Sequence, residues 1–348
     1  NPMVGCVIVG GNGGGVIGEG WHERFGEAHA EVNALSAAGD AARGATAYVT
    51  LEPCCHTGKT PPCSNTLIEA GIARVVVAVR DPFPQVDGGG IAELEAADIE
   101  VVVGVGEGEA RELLAPYLKL ITTSRPWVIA KWAMTLDGKI ATRTGSSQWI
   151  SNDRSRQTVH QLRGRMDAII IGRKTAIADD PRLTARLGDD HSPARVATRV
   201  VLGAPPRDGK LFESITEAPL LVITRNQAEA DDLAWATDAG AEVIPIEADG
   251  NAARIAGLLD ELGRRRMTNV LIEGGGGVLG AAFDGDDAGP LVDEVHVFIG
   301  PKLVGGQPAP SPVGGEGVNQ MADALQVSSL KIDAIDGDAY LHGRLAKA

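Results

Sequence analysis

The sequence predicts an α/β protein of two domains, and three observations carry that prediction. The chain has 348 residues, enough for two ordinary cores. Short apolar runs alternate with helical stretches in both halves, the rhythm of helices packed over a sheet. A helical stretch over Ala110 to Leu120 ends at Ile121-Thr122-Thr123-Ser124-Arg125-Pro126, and a new strand opens at Trp127. The domains are therefore placed at 1–122 and 123–348. No internal repeat relates them.

In the first half, Met3 to Val9 is an apolar strand. Gly10-Gly11-Asn12-Gly13-Gly14-Gly15 resembles a phosphate loop, but Val16-Ile17-Gly18-Glu19-Gly20 follows without helical periodicity, so a hairpin connection is expected. His29 to Ala38 reads as a helix with Val32 and Leu35 on one face and Gly39 as its stop. Ala47 to Leu51 is a strand. A helix starts at Pro61 or Pro62 and stops at Gly71. Arg74 to Val79 and Ile99 to Val103 are strands flanking a helix over Ile91 to Ala97. The second half places strands at Trp127 to Met134, Ala168 to Gly172, Arg199 to Leu202, Leu220 to Thr224, Ala241 to Pro245, Asn269 to Glu273 and Glu294 to Ile299. Its helices fall at Asp153 to Arg163, Ala252 to Arg264 and Val278 to Phe283, and Gln307 to Gly317 is a Pro- and Gly-rich surface loop.

Composition narrows the function. Apolar residues make up 44% of the chain and mean hydropathy is near zero. No apolar run is long enough to span a bilayer, so no membrane role is expected. A formal charge of −14 argues against nucleic acid as a partner, though not against a small phosphorylated ligand. Three of the four Cys crowd into one motif, which points to metal rather than disulfides and so to a reducing cytoplasm. The fourth, Cys6, reads as a small buried hydrophobe. No signal peptide is visible. The chain opens on Asn1-Pro2 and runs straight into a strand, so an upstream segment is expected to be missing and localisation rests on chemistry.

The motif is His29-Ala30-Glu31 with Pro53-Cys54-Cys55-His56-Thr57-Gly58-Lys59-Thr60-Pro61-Pro62-Cys63. His29, Cys54 and Cys63 suit Zn²⁺, and three protein ligands leave a fourth tetrahedral position for water. Glu31 lies where it reaches that water without binding the metal. His-x-Glu with a downstream Pro-Cys marks hydrolytic deaminases of amino-pyrimidines and amino-purines. Both halves are placed at helix N-termini, where unpaired N–H groups favour thiolates. A structural site would need a fourth ligand, for which Cys55 and His56 are the candidates. Eight residues separate Cys54 from Cys63, wider than the compact spacing of nucleic-acid deaminases. The inserted loop offers Lys59 for a substrate phosphate and His56 for a heterocycle; the plain alternative for Lys59 is a solvated surface side chain.

Asn1-Pro2-Met3-Val4-Gly5, His29-Ala30-Glu31, the Pro53 to Cys63 segment, and Asp81-Pro82 with Gly88-Gly89-Gly90-Ile91 together resemble the bifunctional deaminase/reductase family of bacterial riboflavin biosynthesis. The resemblance implies a cytidine-deaminase-like three-layer sandwich, Zn²⁺ on His29, Cys54 and Cys63, and Glu31 as proton shuttle. Family members usually have Ser where Cys55 stands, which leaves the ligand positions intact.

In the second half, Val270-Leu271-Ile272-Glu273 runs into Gly274-Gly275-Gly276-Gly277-Val278-Leu279-Gly280. Such a strand, Gly run and helix start lets backbone approach a diphosphate, and equally makes a tight turn for packing. It lacks the fingerprint of the common dinucleotide fold. Lys131 to Ala141, Gly145 to Ile150, Gly172-Arg173-Lys174-Thr175, Ala178 to Thr184, Val292-Asp293-Glu294 and Gly300-Pro301-Lys302-Leu303 resemble the reductase half of the same family. That half is similar in fold to dihydrofolate reductase. The resemblance implies NADPH contacts at Ala133, Trp149, Thr175, Asp179, Gly275, Gly276, Gly277 and Gly280. It implies substrate contacts at Ser147, Arg163, Leu183, Arg186 and Glu273. Guanidinium groups at Arg163 and Arg186 suit a sugar phosphate, against the plain reading of surface charges. Lys131, in an apolar strand, calls for a buried partner such as Glu273 or a role near the ribose C1′. Arg173 and Lys174 favour NADPH over NADH. Trp149 equally fits an ordinary core aromatic, and His160, His191, His296 and His342 show no ligand spacing.

The expected function is therefore zinc hydrolytic deamination of 2,5-diamino-6-ribosylamino-4(3H)-pyrimidinone 5′-phosphate, then NADPH reduction of the ribosyl group to ribityl. The family suggests a homodimer or higher homo-oligomer. The rivals are a single-activity nucleobase or nucleotide deaminase with a non-catalytic second domain, a zinc-stabilised binding protein, and a chain in which one half alone is active.

Overall fold

A computed structural model describes residues 2–11, 14–24, 26–186 and 195–346. His191, expected to be structural or exposed, lies outside them. The chain divides into two compact units, Asn1–Ser124 and Arg125–Ala348.

The first unit is built on five strands: β1 (Gly5–Val9), β2 (Val16–Trp21), β3 (Thr46–Leu51), β4 (Arg74–Val79) and β5 (Glu100–Val103), in the order β2-β1-β3-β4-β5. β1 pairs antiparallel with β2 and β3, so the strands on either side of the Gly-rich stretch, of which residues 12 and 13 lie outside the described residues, form a hairpin. β3, β4 and β5 run parallel. Parallel neighbours need crossovers, supplied by α2 (Cys63–Glu69) and α3 (Gly89–Ala96). α1 (Ala30–Ala38) and α4 (Glu107–Thr123) complete the unit. β4 is buried along nearly its whole length because helices cover both faces. Val75 and Val77 join the core shared with α1, α2 and α3, whereas Ala78 joins Ala110 and Leu114 of α4. Alternate side chains of a strand face opposite sides, so the unit has three layers. Cys6 is buried within the first of these cores.

The second unit holds β6 (Trp127–Thr135), β7 (Ala168–Gly172), β8 (Thr198–Leu202), β9 (Leu220–Thr224), β10 (Glu242–Pro245), β11 (Asn269–Glu273), β12 (Glu294–Gly300), β13 (Val327–Ile335) and β14 (Asp338–Leu345). Their order is β10-β9-β8-β7-β11-β6-β12-β14-β13. All pairs are parallel except β12–β14 and β13–β14. The helices are α5 (Asp153–Arg163), α6 (Arg173–Asp179), α7 (Lys210–Glu213), α8 (Gln227–Asp231), α9 (Ala234–Asp238), α10 (Asn251–Arg264) and α11 (Gly276–Asp284). α10 and α11 pack on Val128, Ala130, Ile170, Val270 and Ile272 to form the main core. The hairpin β13–β14 and the short helices α6 to α9 carry too little apolar periodicity to stand out from sequence. Among the described residues, no helix is long and apolar enough to cross a membrane.

Candidate active sites

In the first unit, close backbone contact sets His29 in place. A Cβ on Gly20 would lie 2.3 Å from Ala34 N and 2.4 Å from Ala30 O, so glycine there lets β2 press directly on α1. His29 is the extended N-cap of α1, and Glu31 sits buried in its first turn. Cys63 opens α2, and its backbone N–H donates to Cys54 Sγ at 3.4 Å. Cys54 itself lies in the loop after β3 rather than at a helix start.

The three ligand atoms lie within 4.8 Å of one another. His29 Nδ1 stands 3.2 Å from Cys63 Sγ and 3.6 Å from Cys54 Sγ. A tetrahedral zinc with ordinary bond lengths separates its N and S ligands by about 3.5 Å. The donor set thus fits Zn²⁺ in spacing and in chemistry. The charge distribution agrees: a hydrogen bond from Cys63 and the nearby His29 hold Cys54 below the usual thiol range, while that same bond and burial push Cys63 up. Binding a divalent ion requires both thiols to ionise. The bond to Cys54 also raises the His29 pKa. Burial raises the Glu31 carboxyl above its ordinary range, and Glu31 bonds to Cys63.

Neither candidate for a fourth ligand joins this group. Cys55 turns its S–H to Gln85 O at 3.4 Å. The His56 ring lies 5.8 Å from that of Phe83, with Nδ1 buried and unpartnered. Among the described residues, only His29, Cys54 and Cys63 form such a cluster. Lys59 is exposed, its stem running beside Gly26. Sequence reasoning missed Thr60, whose Oγ1 stands 3.5 Å from His29 Nε2 and orients the outer ring nitrogen. It also missed Glu52, whose buried carboxylate accepts three backbone N–H groups.

In the second unit the predicted residues gather near the carboxyl ends of parallel strands, where α/β sheets place ligands. Register sets Glu273 of β11 beside Lys131 of β6. Lys131 Nζ is 3.9 Å from Glu273 Oε2, but the closer partner is Arg163, with Nε to Oε1 at 2.5 Å and Nη2 to Oε2 at 2.7 Å. Burial pushes the Lys131 ammonium down. Burial would raise Glu273, yet Arg163 and Lys131 overcome it and hold the carboxyl at about 2. The fork of Arg163 is thus committed to Glu273, with Nη1 3.4 Å from Thr184 O, rather than open to a phosphate. Ala133 lies two residues beyond Lys131 on the same strand face.

Ser147 Oγ donates to Asp179 Oδ1 at 3.2 Å. Thr175 lies under the glycine run: a Cβ on Gly275 would come within 2.9 Å of its Oγ1. The run itself divides. A Cβ on Gly276 would meet Ser311 O at 2.9 Å and one on Gly280 would meet Gly314 C at 2.2 Å, whereas Gly277 faces open space. Gly276 and Gly280 are therefore required by packing of the 311–315 loop. Arg186 contacts His160 Nε2 at 3.2 Å, and burial with Arg163 and Arg186 pushes His160 down to about 4. Leu183 is buried and lines a cavity of 230 Å³ with Thr184, Arg186, Arg195 and Glu217. Trp149 is 60% exposed with the Arg156 guanidinium 4.3 Å from its ring centre, so it is not a core aromatic. Arg173 donates to Ala204 O at 3.2 Å. His296 is buried between Tyr340 Oη (2.6 Å) and Glu294 Oε1 (2.8 Å), and stacks on His342.

Comparison with known proteins places both halves of the chain in known families. Residues 126–341 match the RibD C-terminal domain, and residues 1–79 match the cytidine and deoxycytidylate deaminase zinc-binding region. Riboflavin biosynthesis protein RibD of Actinobacillus pleuropneumoniae is 38% identical across 98% of this chain and 89% of its own. That of Escherichia coli K12 is 38% identical across 98% and 93%. The solved structure of Acinetobacter baumannii RibD superposes with a TM-score of 0.84 at 35% identity, covering 99% of this chain and 93% of that one. A Thermotoga maritima diaminohydroxyphosphoribosylaminopyrimidine deaminase/5-amino-6-(5-phosphoribosylamino)uracil reductase gives 0.80 at 33% identity over 99% and 93%. The second half is thus no non-catalytic appendage, and the partner is a small molecule. The chain belongs to the RibD family of riboflavin biosynthesis, bifunctional enzymes that join a zinc deaminase to an NADPH-dependent reductase.

Proposed function

We propose that residues 1–122 deaminate 2,5-diamino-6-ribosylamino-4(3H)-pyrimidinone 5′-phosphate and that residues 123–348 reduce the ribosyl group of the product to ribityl. The observation that carries this reading is the three-ligand cluster beside a buried carboxyl: His29, Cys54 and Cys63 with Glu31. These ligands would hold zinc, which when bound lowers the pKa of a water at its open position. Glu31 accepts one proton from that water and delivers it to the ring nitrogen, then accepts the second and delivers it to the leaving amine. A carboxyl whose proton affinity is raised by burial suits both directions of that transfer. His56 offers a hydrogen bond to the heterocycle, and Lys59 reaches for the phosphate.

In the second unit NADPH, when bound, would supply hydride to the ribose C1′. Ala133, Trp149, Thr175, Asp179, Gly275 and the open backbone of Gly277 would line its place. Lys131, held by Glu273, gives a proton to the ribose oxygen as the ring opens, and Arg163 keeps Glu273 ionised. Ser147, Leu183 and Arg186 hold the rest of the substrate. The protein works in the cytoplasm as a homodimer or higher homo-oligomer. Leu303, Met321 and Ile332 of the second unit, 73%, 85% and 66% exposed, support self-association.

The test is an assay of the purified chain with the diamino substrate, with and without NADPH, following ammonia and NADPH absorbance together. Ammonia release in both, with NADPH consumed only after deamination, is the expected result. Sedimentation velocity reads the subunit count, and a monomer would remove the self-association.

A further inference from the structure

Glu52 immediately precedes Pro53-Cys54, is 3% exposed, and belongs to no ligand set. Its carboxylate accepts Asp81 N–H at 3.2 Å and Gly88 N–H at 3.1 Å on Oε2, and Ile91 N–H at 3.2 Å on Oε1. Those donors bracket the segment that joins β4 to α3. Ile91 lies in the first turn of α3, and Gly88, the N-cap, has no side chain to cap it. The carboxylate therefore does from a distance what a capping residue does locally.

That segment closes over the metal turn. A Cβ on Gly90 would lie 1.9 Å from Pro53 O, and one on Gly89 would lie 2.8 Å from Cys55 Sγ. Gln85 O takes the Cys55 S–H, and the Phe83 ring stands against His56. The segment is the wall behind His56, and one side chain anchors both of its ends.

We propose that Glu52 is a positioning residue of the deaminase site: it fixes the 81–91 wall, and through Phe83 the plane of the His56 ring, without touching metal or substrate. The inference rests on the deaminase reading above and on His56 meeting the pyrimidine. Glu52→Gln keeps the size but replaces one accepting oxygen with an amide that faces backbone donors.

The experiment uses full-length, zinc-loaded protein and the diamino pyrimidine. Glu52→Gln is expected to keep its zinc content and its rate of NADPH-dependent reduction of the deaminated pyrimidine. Its KM for ammonia release rises about tenfold with kcat within about twofold. Glu52→Asp, which retains both oxygens, falls between wild type and Gln. Phe83→Ala leaves the Glu52 bonds in place and raises KM in the same way, which keeps the proposal testable if Glu52→Gln does not fold. An unchanged KM in Glu52→Gln or in Phe83→Ala overturns it. So does a loss of kcat that tracks loss of zinc at constant KM, which would make Glu52 a metal-retaining residue only. Absence of ammonia release from the wild type would instead defeat the deaminase reading on which it rests.

Discussion

Two buried carboxyls, Glu31 and Glu273, are pushed in opposite directions by their neighbours. Burial outweighs the hydrogen bond from Cys63 and the nearby His29 and raises Glu31, whereas Glu273 sits between Arg163 and Lys131 and is held at about 2. The second case sets a pH dependence. Its folded pKa lies below the unfolded value of about 4.3, so its contribution to stability is complete above that value. It is lost as pH falls through the window down to about 2. Denaturant titrations of the wild type between neutral and acid pH should show that loss, and Glu273→Gln should flatten it. The variant should also cost about 3 kcal/mol at neutral pH, because Arg163 and Lys131 are left buried without their counter-charge. Lys131→Met should abolish NADPH oxidation while leaving ammonia release unchanged; reduction at the wild-type rate would remove Lys131 from the chemistry. The meeting of His29, Cys54 and Cys63, with Glu31 in the adjoining helical turn, was legible from sequence because that spacing is a chemical requirement. The commitment of Arg163 to Glu273 was not, since residues 110 apart in the chain meet only through the register of β11 and the end of α5.

At the scale of elements, the glycine run before α11 joins two demands that sequence does not separate. Gly277 faces open space, so Gly277→Ala should hold or slightly raise Tm, as alanine is favoured in a helix by up to about 1 kcal/mol. Its effect should fall on the KM for NADPH. Gly280→Ala would drive a methyl into the backbone at Gly314, and should lower Tm before any effect on cofactor affinity appears. Thermal melts beside NADPH titrations distinguish the two, and equal Tm losses would contradict the division. The central parallel strands were readable because a strand buried on both faces is a continuous apolar run, as in β4 and β7. β13 was not, because its side chains are nearly all exposed and carry no alternation. One signal was available: Asp336-Gly337, where both residues take positive φ (50° and 93°), is the hairpin dipeptide between β13 and β14.

At the scale of the whole molecule, each unit has its own core and its own chemistry, the first around α1 to α4 and the second around α10 and α11. The chain was readable as two catalytic halves because each half carries its own motif cluster, whereas the exposed apolar residues of the second unit become visible only in the folded chain. The proposed deamination turns on an ion held by His29, Cys54 and Cys63 with Glu31 moving the proton beside it. The most direct measurement compares wild type with Glu31→Gln, each assayed for zinc content, for ammonia released from the diamino pyrimidine, and for NADPH oxidised with the deaminated pyrimidine. The expected variant binds zinc as the wild type does, oxidises NADPH at the wild-type rate, and releases ammonia at least about a hundredfold more slowly. Ammonia release at the wild-type rate from a zinc-loaded Glu31→Gln would contradict the account.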